Sequence, residues 1–150
     1  MIISGHGLSV DVPDGWDARI YKRRLPKGEP GESFPIIHAS NVALPVDPGD
    51  YGGGAVKTMG PGGMFVALLE FGPSYQRTPG FAPVAAVPSV RFEDFSPQTM
   101  QVFIPGGLGL QRFFVYAGRS FCCYAVAGSA AGLESSINEI NGVLASLALS

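Results

Sequence analysis

Leu110-Gln111-Arg112-Phe113-Phe114-Val115-Tyr116-Ala117 and Ser120-Phe121-Cys122-Cys123-Tyr124-Ala125-Val126-Ala127, joined by Gly118-Arg119, decide the fold. Aromatic and β-branched residues crowd both arms and favour a pleated surface, and the glycine at the junction suits a tight reversal. The stretch predicts a β-hairpin. Directly after it, Leu133, Ile137, Ile140, Leu144 and Leu147 recur at spacings of three and four, which places them on one face of a helix. Ser129 stands where an N-cap belongs, and Glu134 near the start suits the helix dipole.

Upstream, further strands can be read. Leu8, Val10 and Val12 alternate with Ser9 and Asp11, the period-two pattern of a half-buried strand. The turn Pro13-Asp14-Gly15 and a returning strand Ala18–Lys22 predict an opening hairpin, with Trp16 as an apolar anchor. Pro35–Ser40 predicts a short strand, Met64–Phe71 a central one and Met100–Ile104 another. Asp50 is a candidate cap for a short helix through Ala55, Val56 and Met59, closed by Gly60-Pro61. Gly72–Ser89 holds Pro73, Pro79, Pro83 and Pro88, so it predicts a long surface loop. No repeat or second apolar unit is present. The expectation is one α+β domain over residues 1–150, a twisted antiparallel sheet with a C-terminal helix packed on it.

Composition narrows the function classes. Hydrophobic residues make up 46% of the chain and charged residues 15%, against about 25% charged in a typical domain. The core is expected to be generous, with apolar surface left over. A net charge of −2 opposes bulk electrostatic binding of nucleic acid. Met1–Gly7 has neither a basic nor an apolar signal region, and no apolar run approaches the ~20 residues that span a bilayer. Cys122 and Cys123 are sequence neighbours whose side chains leave opposite faces of a strand, poor geometry for a mutual disulfide. Free thiols and a cytoplasmic location, in a bacterium, are the expectation.

The two ends together resemble a known group. Gly7-Leu8-Ser9-Val10-Asp11-Val12-Pro13-Asp14-Gly15-Trp16 is similar to the start of the PsbP/DcrB-like superfamily, in which such a segment precedes a twisted antiparallel sheet. The closing Val143-Leu144-Ala145-Ser146-Leu147 resembles that group's C-terminal helix. The resemblance implies an α/β/α-type sandwich and a non-enzymatic accessory or binding role. It carries no functional residue onto this chain.

Signatures of catalysis are incomplete. Lys57-Thr58 follows a glycine run, but Val56 stands where a phosphate-binding loop needs glycine. Gly118-Arg119-Ser120-Phe121-Cys122 lacks the last glycine of a nucleophile elbow and sits in a hairpin. His6 and His38 have no Cys or His at metal-ligand spacing. No cofactor is expected. Glu70, in an apolar strand, is read as the structural partner of Arg112. A small hydrolase or transferase using His38, Glu70 and Arg112 is the alternative function.

Half of the ten basic residues lie in one short stretch: Arg19, Lys22, Arg23, Arg24 and Lys27. Alternation puts Arg19, Tyr21 and Arg23 on one strand face and Ala18, Ile20 and Lys22 on the other. Tyr75 and Phe81 add aromatic contact area to a proline-stiffened loop. The sequence thus favours a non-catalytic binding or accessory domain that contacts a protein through Arg19, Arg23, Tyr75 and Phe81, with homo-oligomerisation left open.

Overall fold

The computed structural model describes residues 1–23, 25, 31–47 and 49–150. Among these residues nine strands and two α-helices follow in chain order: β1 Ile2–Gly5, β2 Leu8–Asp11, β3 Asp17–Lys22, β4 Pro35–Ser40, α1 Gly53–Val56, β5 Met64–Phe71, β6 Ala82–Val84, β7 Leu108–Tyr116, β8 Arg119–Ala127, α2 Ala130–Ala145 and β9 Ala148–Leu149. They build a three-stranded sheet, β1-β2-β9, and a six-stranded sheet, β3-β4-β5-β8-β7-β6. All pairings are antiparallel except that of β6 with β7. The fold is an α+β sandwich.

The large sheet is covered on both faces. Its alternating side chains divide the core in two, as a strand period of two requires. Val66, Leu68, Cys123 and Ala125 face α2 and the small sheet, packing with Leu8, Trp16, Leu133, Ile140 and Leu144. Phe65, Ala67, Leu69, Cys122 and Tyr124 face the other way, under α1, Leu44 and Ile104. This second cover is thin, a one-turn helix with loops. Close approach there depends on glycine: a Cβ on Gly52 would run into the Phe65 ring. The sequential hairpin β7–β8 closes through Ala117 and Gly118, both at positive φ, a reversal for which glycine is suited.

Ser129 caps α2, its hydroxyl accepting from Gly132 N at 3.0 Å. Leu133, Ile140, Leu144 and Leu147 are buried as the spacing predicts, and Ile137 is partly buried against them. Cys122 and Cys123 are free, buried and on opposite faces.

Four local expectations are corrected. Leu8–Asp11 pairs with β1 and β9, not with Asp17–Lys22. The His6-Gly7 turn offers it a nearer partner, and Pro13–Trp16 instead carries the chain from the small sheet to the large one. Met100–Ile104 forms no strand. It lies over the sheet face, with Gln101 N donating to Tyr124 Oη at 2.7 Å. Gly72–Ser89 is not loop throughout, because Ala82–Val84 joins β7. Pro83 is tolerated there because β6 is an edge strand. Finally, Gly52 and not Asp50 precedes α1, with no side-chain cap. Asp50 is engaged elsewhere.

Candidate interaction surface

At the β3 edge of the large sheet the sequence's basic alternation is realised. Arg19, Tyr21 and Arg23 share a face with segment 44–50. Arg19 donates to the carbonyls of Val46 and Leu44 at 3.3 and 3.4 Å. Tyr21 Oη donates to Asp50 Oδ1 at 3.2 Å, and Arg23 Nε lies 2.8 Å from Asp50 Oδ2. That Nε–H is not aligned for a hydrogen bond, so the Arg23 contact is a pairing of charges. Burial, reinforced by the Asp50 carboxylate, pushes the Tyr21 hydroxyl well above its ordinary pKa. Arg19, Tyr21, Lys22, Arg23, Val46, Asp47, Gly49 and Asp50 line an open cleft of about 630 Å³. Arg24 and Lys27, the rest of the basic cluster, lie outside the described residues.

Beneath the cleft sits His38, wholly buried between Tyr21 and Phe65 in edge-to-face contacts. Its Nε2 is 2.8 Å from Asp50 O, so the neutral ring donates from Nε2 and leaves Nδ1 an acceptor with no partner among the described residues. Burial pushes its pKa down to about 4.

Arg23 also belongs to a second depression, of about 220 Å³, lined with Phe34, Glu70, Phe71 and Tyr75 among others. Its guanidinium carbon lies 5.9 Å from the Phe71 ring centroid. Phe71, Tyr75, Phe81 and Phe113 form one aromatic cluster, with neighbouring centroids 5.0–6.5 Å apart. Tyr75 is 42% exposed. The Gln76 side-chain amide holds this loop to Gly118 O. The structure therefore brings Arg23 and Tyr75 to one depression, with Phe81 beside Tyr75 over β5 and β7, and sets Arg19 further along β3 in the polar cleft. Sequence reading missed Phe71, Phe113 and Asp50 as members. Phe71 ends a strand read as core, and Asp50 carried a capping signal.

The alternative catalytic trio is not assembled. His38 faces the α1 side of the sheet with Phe65, whereas Glu70 and Arg112 take the α2 side with Leu68 and Leu110. Glu70 does not pair with Arg112. Its two oxygens accept from Arg119 Nη2 and Nε, at 2.6 and 3.1 Å. The register explains this: Glu70 is opposite Phe121, two residues from Arg119 on the same face, while Arg112 is opposite Cys123. Arg112 instead bridges to Asp94 at 3.1 Å and donates to Ser89 O. Among the described residues the buried Ser120 hydroxyl has no hydrogen-bond partner, so no imidazole is bonded to it as a base. Among the described residues no group of three His, Cys, Asp or Glu is arranged to hold a metal, and no helix is long and apolar enough to cross a membrane.

No protein-family model, curated protein or solved structure matches this chain.

Proposed function

We propose that the chain is a non-catalytic binding or accessory domain that docks a protein partner on the surface of Arg19, Arg23, Tyr75 and Phe81. The observation that carries this reading is the position of Arg23. It stands between a polar cleft and an aromatic depression, with its charge close to the Phe71 face. Cation and aromatic groups side by side suit protein contacts, where arginine and tyrosine supply much of the binding energy. We also propose kinship with the PsbP/DcrB-like superfamily, supported by a helix packed on a largely antiparallel sheet behind the Gly7–Trp16 segment. Fold-level kinship of this kind speaks for architecture more than for activity. Two adjacent unpaired thiols support a cytoplasmic setting.

The test places a photo-reactive phenylalanine analogue at Tyr75 and, as a control, at Phe103, which is 70% exposed on a different loop. One discrete protein adduct from the native host at Tyr75 and none at Phe103 is expected. Identical adduct patterns from both positions would refute the docking surface.

A further inference from the structure

β3 is a terminal strand of the six-stranded sheet, paired with β4 through all six of its residues without a bulge. Pro35 tells which of its main-chain groups face outward. In an antiparallel ladder, pairs that exchange both N–H···O bonds alternate with pairs whose groups point away from each other. Pro35 has no N–H, so its pair with Lys22 is of the second kind. The N–H and C=O of Lys22 therefore point away from β4, and by alternation so do those of Ile20 and Ala18. Ser33 agrees: its hydroxyl donates to the carbonyl of Arg23, a residue that alternation turns toward β4. Among the described residues nothing bonds to the six outward groups. The cleft lined by Arg19, Tyr21 and Lys22 lies open beside them.

Such an edge is a template for a further strand unless it is blunted. β6, at the far end of the sheet, has three residues and carries Pro83. β3 has no proline. Charges are the other common defence, and on β3 they leave one register open. Two copies of one strand pair antiparallel about a two-fold axis at a single residue number, because outward-facing residues must meet outward-facing ones. An axis at Arg19 sets Arg19 against Arg19, one at Tyr21 sets Arg19 against Arg23, and one at Lys22 sets Lys22 against Lys22. Like charges directly opposite are destabilising. An axis at Ile20 sets Asp17 against Arg23, Ala18 against Lys22 and Arg19 against Tyr21, with no like pair. It also matches every outward group of Ala18, Ile20 and Lys22 with one on the second copy. Any other axis carries at least one of these residues past the end of the facing strand. Hydrogen bonding and charge choose the same register. Asp17 accepts from Leu44 N through Oδ2 alone, and Arg23 turns Nε toward Asp50. Asp17 Oδ1 and the Arg23 Nη nitrogens keep no hydrogen bond among the described residues, so both partners have atoms to spare.

We propose that the chain forms a symmetric dimer in which β3 pairs with β3 of a second copy about a two-fold axis at Ile20. The two six-stranded sheets become one. The blunted β6 edges then lie at the ends, so assembly stops at two. A foreign strand would need only a free main chain, whereas this edge is complementary to itself in both charge and hydrogen bonding. The inference goes beyond the docking reading, for it uses the main chain of β3 and neither Tyr75 nor Phe81.

Sedimentation of the wild-type chain is expected to show a species of twice 15.7 kDa that dissociates on dilution. Raising the protein concentration is expected to slow amide exchange at Ala18, Ile20 and Lys22, while Arg19 and Tyr21, already turned toward β4, change little. Ile20→Cys places two thiols across the axis on Cα atoms about 5.5 Å apart, so mild oxidation is expected to give a covalent dimer. The two copies of Lys22→Cys stand four residues apart along the pair, at least ~13 Å, and are expected to stay unlinked. Lys22→Pro removes an outward donor where an edge strand tolerates proline, and is expected to weaken association at least about tenfold with the monomer still folded. A chain that stays monomeric at about 100 μM would overturn the proposal. So would a dimer in which Ala18, Ile20 and Lys22 exchange as fast as they do on dilution, or equal cross-linking by the two cysteine variants. Undiminished association of a folded Lys22→Pro would overturn it too. Should a variant fail to fold, the wild-type exchange pattern decides alone.

Discussion

Arg119 holds Glu70 by two of its nitrogens while donating a third hydrogen bond, 3.2 Å long, to Gly7 O. One guanidinium thus joins β5 and β8 of the large sheet to the β1–β2 turn of the small one. Glu70 is buried at 8% exposure. Removing its partner leaves a carboxylate unpaired, a loss that costs more than the pair itself contributes. Arg119→Ala is expected to lower stability by about 2–3 kcal/mol, and Glu70→Gln with Arg119→Ala by less than the sum of the single changes. Urea unfolding of the four proteins measures it. Strict additivity would show that the pair is not coupled.

The C-terminal helix is part of the core. Ile140 is fully buried and packs with Leu133, Val143 and Leu144 against the sheet. Ile140→Asp puts a carboxylate there without a partner, a class of change that costs several kcal/mol. Loss of cooperative unfolding or insoluble expression is expected. A melting temperature within a few degrees of wild type would mean that the helix face contributes little.

Long, strongly patterned segments were legible in the sequence, and the reason is physical. In β5, β8 and α2 the apolar period is sustained over eight residues or more, so local pattern and burial agree. Pairing between distant segments was not legible. Nothing local in Leu8–Asp11 says that its partners are Ile2–Gly5 and Leu149, and a turn signal at Pro13–Trp16 points to the wrong strand. The same limit gave Glu70 the wrong arginine, because choosing between Arg112 and Arg119 requires the β5–β8 register. At the surface, alternation correctly placed Arg19, Tyr21 and Arg23 on one side of β3. The meeting of Arg23 with Phe71 and Tyr75 depends on three chain segments and has no sequence signature.

Both thiols are expected to be inert in the folded protein. Burial pushes Cys122 up to about 11 and Cys123 up to about 12. Since the thiolate is the reactive species, a disulfide reagent at pH 8 should find neither group without denaturant and both after unfolding without reductant. Recovery of no thiol from the unfolded chain would mean that the two are joined.

His38 supplies the pH dependence that the fold makes specific. Its neutral ring sits under Asp50 O between Tyr21 and Phe65, and burial is the main cause that lowers its pKa from 6.5 to about 4. The unfolded chain therefore takes up a proton at a higher pH than the folded one. The stability this group contributes is fully present above pH 6.5 and is lost as pH falls toward 4. From pH 7 to 4.5 the loss is about 2 kcal/mol, from a pKa difference of roughly 2.5 units at about 1.4 kcal/mol each, reduced by partial titration at either limit. His38→Leu removes the titration and the hydrogen bond to Asp50 O, so it is expected to be less stable at pH 7 yet to lose less on acidification. Urea unfolding of both proteins at pH 7 and 4.5 gives the difference in slope directly. Parallel losses in wild type and variant would show that His38 does not carry the acid sensitivity.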